Sequence, residues 1–276
     1  MSQTAKARTI RDALYEAPGP RTHRKMVVGT AISAVLVAVL VGLVVQRFYV
    51  TGQFAPKYWS FFGQLSTWTF LLKGFEGTVQ VAFVAGIIAL VLGLVLMLGR
   101  TSGIKVLAAL CRVVTDFFRG VPSLLLIYFF FLVVPQYGIK MSSFWMITLP
   151  VALAASGVLA EVFRAGVNAV PRGQVEAALS IGLTPMQTTF KIVLPQAVRF
   201  VIPTLISQLV VVVKDTTVAY VVSYPDLLQN ARVLITNYDA LVSVYFTIAI
   251  IYVILNYLIH RASLAVSRKL GVKIIE

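Results

Sequence analysis

The sequence predicts an all-α integral membrane protein, and three observations lead there. Hydrophobic residues make up 59% of the 276 residues, charged residues make up only 12%, and the mean hydropathy is +0.89. Ordinary soluble domains are much less apolar. The apolar segments reach the roughly 20 residues that a helix needs to cross a bilayer, whereas strands of a membrane barrel would show as alternating segments of about 10 residues.

Six segments qualify as membrane spans. The first has no charge over 21 residues and exceeds the apolar core of a signal peptide, so we expect a retained helix. The third begins at about Val121; the alternative is one long helix that extends backwards through 106–118 and is broken near Gly120-Val121-Pro122. Charges stand in the middle of the fifth span only. The predicted spans are 26–46, about 78–98, about 121–135, about 144–160, 197–222 and 241–260.

The basic residues predict that both termini are cytoplasmic. With that orientation, 18 of the 24 Lys and Arg residues lie inside, five lie outside, and Lys214 lies within the fifth span. This is the bias of the positive-inside rule. Topology and contact with the anionic lipids of the bilayer account for the net charge of +14, so we expect no nucleic-acid partner. Residues 1–25, broken by Pro18-Gly19-Pro20, are predicted to form a flexible cytoplasmic tail.

Neither a metal site nor a disulfide is predicted. Cys111 is the single cysteine of the chain and is expected to pack near the inner face. His23 and His260 stand at the edges of predicted spans without other ligand residues beside them, so we expect interfacial positions.

The loop between spans four and five is predicted to fold into two short helices that meet at Gly182. Pro171 suits the first turn of the first helix, and Thr184-Pro185-Met186-Gln187 has the pattern of a capping box that starts the second. Such a hairpin is a rigid knob along the membrane face, suited to docking into the cleft of a partner; the alternative is a simple interfacial connector. One face of the first helix is formed by residues at i, i+3, i+4 and i+7, namely Val175, Ala178, Leu179 and Gly182.

The same loop resembles the signature loop of importer permeases of the ATP-binding cassette (ABC) class. Glu176-Ala177-Ala178 is followed after three residues by Gly182 and after nine more by Ile192-Val193-Leu194-Pro195, which is the spacing of that signature. In that family the loop is a coupling helix that sits in a groove of the nucleotide-binding subunit. The resemblance implies a coupling loop over 172–195, with contacts to the ATPase through Arg172, Gly173, Glu176, Ala177, Ala178, Gly182, Leu183 and Thr184.

Further motifs are similar to those of the branch that imports polar amino acids. The chain departs from that branch at Val121 (usually Thr), at Thr217 (usually Ser) and at Gly157-Val158 (commonly Ala-Tyr). The matching elements are Gly77-Thr78-Val79-Gln80, Phe118-Arg119-Gly120-Val121-Pro122, Glu161-Val162-Phe163-Arg164, Gly173-Gln174, Leu194-Pro195-Gln196-Ala197 and Lys214-Asp215-Thr216-Thr217.

The resemblance implies a five-helix type I ABC importer permease core over 75–276, to which the helix 26–46 is an addition. Acidic amino-acid permeases of actinobacteria look similar in having such an extension. Glutamate or another acidic or amide amino acid is therefore the expected cargo, carried across a bacterial plasma membrane.

The chain contains no Walker-type phosphate loop, so we expect it to hydrolyse no ATP by itself and to bind no cofactor. The resemblance implies a separate nucleotide-binding ATPase subunit that holds ATP and Mg²⁺. It also implies a second permease subunit, as a heterodimer, and an extracellular solute-binding protein.

Lys214 and Asp215 are candidates for the substrate path. They lie ~22 Å from Arg199 along the fifth span at about 1.5 Å per residue. A charge at that depth costs about 3 kcal/mol and usually marks a cavity or an ion path. Adjacent helix residues do not face one another, so the two need separate partners or a locally unwound backbone. The alternative is a pair of charges that only holds neighbouring helices together and does not contact the cargo.

A hypothesis for the cargo follows from its charges. Lys214 would meet the carboxylate of an amino acid, Asp215 its ammonium group, and neutral hydrogen bonds would come from Thr216 or Thr217 with Gln208.

Three charged residues are expected near the inner face. Glu161 and Arg164 form either an ordinary i, i+3 ion pair, worth a few tenths of a kcal/mol when exposed, or an inner gate. Arg119 is either a snorkelling anchor or a lip of the exit path.

The sequence leaves two alternative functions besides that of an ABC importer permease. A stand-alone secondary transporter or channel would also suit the intramembrane Lys-Asp pair, but it has no need of the coupling loop. A membrane scaffold without transport activity is the other.

Overall fold

The computed structural model describes residues 20–269 and their side chains from 21 to 266, and within that range the chain is helical without β-strands, as predicted. The α-helices are α1 (Pro20–Val50), α2 (Leu65–Arg100), α3 (Lys105–Gly120), α4 (Ser123–Tyr128), α5 (Ser143–Ala169), α6 (Arg172–Ser180), α7 (Pro185–Thr188), α8 (Leu194–Asp215), α9 (Leu227–Tyr238) and α10 (Leu241–Lys269). Wider π-type turns cover Phe129–Val133 and Thr189–Val193. Short 3-10 helices cover Pro56–Tyr58, Ser60–Gly63, Val134–Tyr137 and Thr216–Val222.

The chain divides into two units at Pro56, and the first unit contains α1. This helix extends the predicted span 26–46 at both ends, and nearly all its described side chains are exposed. A helix that is apolar on all sides suits a lipid environment. Residues 1–19 of the predicted tail lie outside the described residues, whereas 20–25 are helical and not tail. Proline at the first helical position is compatible with this start, since its fixed φ suits a helix.

Five helical segments among the described residues are long and apolar enough to cross a membrane. They are Arg21–Val50, Leu65–Arg100, Ser143–Ala169, Pro185–Val222 and Leu241–Val266. All extend beyond the predicted limits of spans one, two, four, five and six, at one end or both. Each helix continues beyond its apolar residues into polar turns. The apolar pattern of the sequence therefore predicts only the apolar part of each helix and not its ends.

The predicted third span is part of a broken pair. Lys105–Gly120 and Ser123–Tyr137 meet at an angle of 98°, so the segment that extends the third span backwards is present and the break near Gly120-Val121-Pro122 is confirmed. Val121 has ψ 127° and Pro122 has ψ 132°, both extended. A residue before proline avoids the helical region because of the proline ring, and the chain therefore turns here.

Helix α5 lies in the middle of the second unit and packs closely on three neighbours. A Cβ on Gly93 of α2 would lie 2.9 Å from the Cβ of Leu159, and one on Gly166 of α5 would lie 2.7 Å from the carbonyl oxygen of Ala197 in α8. Small residues at such crossings let helix backbones approach, which is how helices pack in membranes.

Gly157 explains one departure from the family pattern. A Cβ at this position would lie 2.7 Å from the backbone nitrogen of Arg119 and 2.9 Å from the carbonyl oxygen of Thr115. The end of α3 thus crosses α5 directly at Gly157, and an alanine there would force these two helices apart.

Helix α9, which the sequence analysis did not predict, is seated on α2. The Leu227 N–H donates to the hydroxyl of Thr78 (3.0 Å), and the Asn230 side chain donates to the carbonyl of Phe70 (2.7 Å). A Cβ on Gly77 would lie 2.5 Å from the carbonyl oxygen of Pro225. The Gly-Thr-Val-Gln motif therefore serves to hold α9.

Candidate functional site

The loop between α5 and α8 forms the predicted helical hairpin. Helix α6 ends at Ser180, and Gly182 follows it with a φ of +85°, the left-handed conformation that glycine adopts without strain. The Gly182 N–H donates to the carbonyl of Leu179 (3.0 Å) and the Leu183 N–H to that of Ala178 (3.1 Å). This pair of bonds is a Schellman motif, which satisfies the last carbonyls of α6 and fixes the turn.

The predicted capping box at Thr184 is confirmed. The Thr184 N–H donates to Oε1 of Gln187 (3.0 Å), and the Gln187 N–H donates to the Thr184 hydroxyl (3.3 Å). Pro171 is the residue before the first turn of α6 and not part of it, because its ψ of 134° is extended. Local hydrogen bonds thus fix the turn of the hairpin on both sides, at the end of α6 and at the start of α7.

The hairpin has a packed base and an open apolar tip. Val175 packs on a cluster of Val170, Val193 and Ala197, and Ala178 is buried. Leu179, predicted on the same face, is 46% exposed, and Ile181 and Met186 are 79% and 71% exposed.

The residues expected to contact an ATPase divide into two groups. Ala178 is buried and Leu183 is half-buried, so these two hold the hairpin together. The exposed ones are Arg172, Gly173, Glu176, Ala177, Gly182 and Thr184.

A cavity of about 160 Å³ lies where α3, α5 and α8 meet, and it contains two of the predicted substrate residues. Gln208 and Asp215 stand two turns apart on α8 and both line it, and the Ser123 hydroxyl lies beside the Asp215 carboxylate. The lining is Phe118, Arg119, Val121, Ser123, Ala154, Ala155, Val158, Gln208, Val211, Val212 and Asp215. A small apolar chamber with a few polar groups is the usual form of a small-molecule site.

The other predicted substrate residues do not line this cavity. Lys214 is exposed, the buried Thr216 donates to the carbonyl of Val213 (2.8 Å), and Thr217 donates to that of Lys214 (2.6 Å). The backbone changes from α-helix to the more tightly wound 3-10 helix after Asp215 and is not unwound there, so Lys214 and Asp215 have separate surroundings.

The cation of the cavity is Arg119, for which the sequence left two roles open, a snorkelling anchor or a lip of the exit path. The bend at Val121-Pro122 turns the chain so that the end of α3 and Ser123 of α4 reach the same cavity. A local pattern could not show this, because Arg119 and Asp215 are far apart in the sequence.

Glu161 is the centre of an ion-pair network and not of a simple i, i+3 pair. It accepts from Arg164 of its own helix (2.7 Å) and from Arg100 of α2, and Arg119 of α3 approaches to 3.6 Å. Its side chain is 18% exposed. Arg119 also lies 3.4 Å from Asp116. The network ties α2, α3 and α5 together, and Arg100 is its unpredicted member.

Cys111 packs against Gly99 of α2, as expected of a packing residue. Over residues 20–269, no group of three or more His, Cys, Asp or Glu side chains could hold a metal ion.

Comparison with known proteins gives a consistent set of relatives. Residues 96–272 match the family described as binding-protein-dependent transport system inner membrane component. A glutamate transport system permease protein of Corynebacterium glutamicum is 34% identical over 223 residues, which are 79% of this chain and 82% of that protein. A probable glutamine ABC transporter permease protein of Bacillus subtilis is 34% identical over 204 residues, which are 74% of this chain and 93% of that protein.

A solved structure described as an amino acid ABC transporter with histidines superposes with a TM-score of 0.71 at 25% identity. The likeness covers 76% of this chain and 98% of that one.

Proposed function

This chain belongs to the family of binding-protein-dependent transport system inner membrane components, and we propose that it carries glutamate or another acidic or amide amino acid into the cell. It is the permease subunit of an amino-acid ABC importer, and the resemblance drawn from its motifs is confirmed. Its fold is the importer permease core with one additional helix, α1. The choice of cargo is supported by relatives that are named for glutamate and glutamine.

One observation carries the mechanism. The segment Pro185–Val222 is a continuous helical span, made of α7, a π-type turn, α8 and a 3-10 helix, with the hairpin at one end and Asp215 of the cavity near the other. At about 1.5 Å per residue, Pro185 and Asp215 are ~45 Å apart along it. A force on the hairpin would therefore reach the cavity through one continuous element.

The cavity has the charges that an amino acid requires. We assign the ammonium group of the cargo to Asp215 and its carboxylate to Arg119, with neutral hydrogen bonds from Gln208 and Ser123. Lys214 lies outside the lining, so Arg119 replaces it in the hypothesis for the carboxylate. A guanidinium suits this role because it binds a carboxylate through two parallel hydrogen bonds.

A partner ATPase subunit supplies the energy for transport. The apolar tip of the hairpin, with Ile181 at 79% exposure, docks into a nucleotide-binding ATPase subunit that holds ATP and Mg²⁺. A second permease subunit and an external solute-binding protein complete the importer, which lies in the bacterial plasma membrane with both termini cytoplasmic. The excess of Lys and Arg on the hairpin side supports that orientation.

The test is ATP-driven uptake by the reconstituted complex. Asp215→Asn and Gln208→Ala should lower uptake at least about tenfold, the effect of losing a charge-assisted or buried hydrogen bond, while ATP hydrolysis and assembly persist. Thr204→Ala, on an exposed position of α8 outside the cavity, is the matched control.

Lys214→Gln separates the two carboxylate assignments, since it spares uptake if Arg119 holds the carboxylate. Full uptake by Asp215→Asn would refute the cavity assignment. Uptake that continues without any ATPase subunit would instead establish a stand-alone transporter.

A further inference from the structure

A second polar recess is lined by residues that belong neither to the cavity at Asp215 nor to the hairpin. It has a volume of about 400 Å³ and lies between the 3-10 helix Thr216–Val222 and α9. These elements follow the C-terminal end of the 22-residue α8, while the hairpin precedes its N-terminal end. The recess is lined by Tyr220, Ser223, Gln229, Arg232, Val233, Thr236 and Asn237.

One cation stands in this recess without a counter-charge. The Cζ atom of Arg232 lies 4.5 Å from the centre of the Tyr220 ring. Arg232 takes part in none of the ion pairs among the described residues, and no Asp or Glu lines the recess. Stacking fixes the plane of a guanidinium and leaves its N–H groups free at the edge, in the geometry that binds a carboxylate.

The other side of the recess favours a positive group. Thr236 follows Arg232 by one helical turn, and its hydroxyl donates to the Arg232 carbonyl oxygen (3.0 Å). The Thr236 hydroxyl oxygen can therefore act as an acceptor toward a ligand. Asn237 stands in the last turn of α9, where the helix dipole is negative. Ser223 has φ +52°, a conformation that non-glycine residues rarely adopt, and it makes the turn that opens the recess.

We propose that this recess binds a free amino acid as a zwitterion, with its α-carboxylate on Arg232 and its ammonium group on the oxygens of Thr236 and Asn237. A lone carboxylate from the surface of a protein would leave those acceptors unused, and a phosphate dianion would meet only one cation. The choice of an amino acid as the ligand rests on the proposed function. The proposal adds a cargo site beyond the end of α8 that is opposite the hairpin.

The experiment measures occupancy of the recess directly. Val233→Cys, in the full chain with Cys111→Ala and assembled with its partners in membranes, places a thiol in the recess. Its rate of modification by a membrane-impermeant thiol reagent is measured without ATP and without solute-binding protein. L-Glutamine is the probe because it carries a single carboxylate, and 4-aminobutyramide is the same molecule without that group.

We expect L-glutamine to slow the modification and 4-aminobutyramide to leave it unchanged. Arg232→Gln should raise the glutamine concentration for half-protection by about tenfold or more, the loss expected for a charge-assisted hydrogen bond. Lys57→Gln is the matched control, since Lys57 also stacks on a tyrosine at 4.5 Å but does not line the recess. Its half-protection should not change.

Three results would overturn the proposal. They are no protection by L-glutamine, protection that survives Arg232→Gln, and protection that appears only when ligand-free solute-binding protein is added, which would make the recess a docking surface. Because the assay needs neither ATP nor uptake, these results are distinct from a failure of the proposed function, which would show as absent ATP-driven uptake.

Discussion

At the scale of single residues, Asp226 shows how the fold sets the chemistry of a buried carboxylate. It is the N-cap residue of α9 and is fully buried. Its Oδ1 accepts from the Gln229 N–H (2.7 Å), while Oδ2 has no hydrogen bond of normal geometry among the described residues. Burial raises the pKa of Asp226 to about 6, although the N–H groups of the first turn of α9 favour the carboxylate.

The raised pKa gives a pH dependence of stability. The folded chain takes up a proton at Asp226 near pH 6, whereas the unfolded chain does so near pH 3.8. The contribution of this residue to the free energy of unfolding is therefore largest below about pH 4, falls as the pH rises to about 6, and then stays low.

Asp226→Asn should for that reason stabilise the protein at pH 8, by as much as about 3 kcal/mol, and the gain should shrink toward pH 4. Thermal unfolding of the purified protein in detergent between pH 4 and pH 8 measures it. Asp239→Asn, an exposed position directly after the other end of α9, is the control. Equal curves for Asp226→Asn and wild type would contradict this account of burial.

At the scale of elements, the hairpin depends on one backbone conformation. Gly173 and Gly182 both have open space where a Cβ would stand, but only Gly182 has a positive φ. Gly182→Ala should destabilise the hairpin by about 1–2 kcal/mol. Gly173→Ala, within α6, should leave it unchanged or stabilise it by up to about 1 kcal/mol.

Amide hydrogen exchange over 172–195 compares the two variants. Faster exchange in Gly182→Ala alone is the expected result. Similar exchange in both variants would show that the left-handed turn does not control the hairpin.

The elements also show what the sequence could predict. The capping box and Gly182 are local patterns, so the hairpin was predictable from neighbouring residues. The 98° bend was foreseen only as a break, since Pro122 fixes where a helix stops but not where the next one points. Arg100 was missed because its bond to Glu161 joins residues 61 positions apart. The α9 helix is too short to show as an apolar span.

At the scale of the whole molecule, apolar length predicted the membrane class, and the motifs predicted the family. The composition of the cavity was only half predictable: Asp215 and Gln208 share a face of one helix, whereas Arg119 and Ser123 arrive from other helices. Which charged side chains come together depends on where the helices cross, for example where the end of α3 crosses α5 at Gly157. The continuous helical span from Pro185 to Val222 then joins the hairpin to the cavity.

We expect the hairpin to be the contact through which an ATPase subunit drives this permease. The most direct measurement places a thiol at the hairpin tip, as Ile181→Cys with Cys111→Ala, in cells that produce the whole importer. We expect a cross-linked product with the ATPase subunit and no modification by an impermeant thiol reagent applied outside the cell. Modification from outside, or no product with the ATPase subunit in an assembled complex, would contradict it.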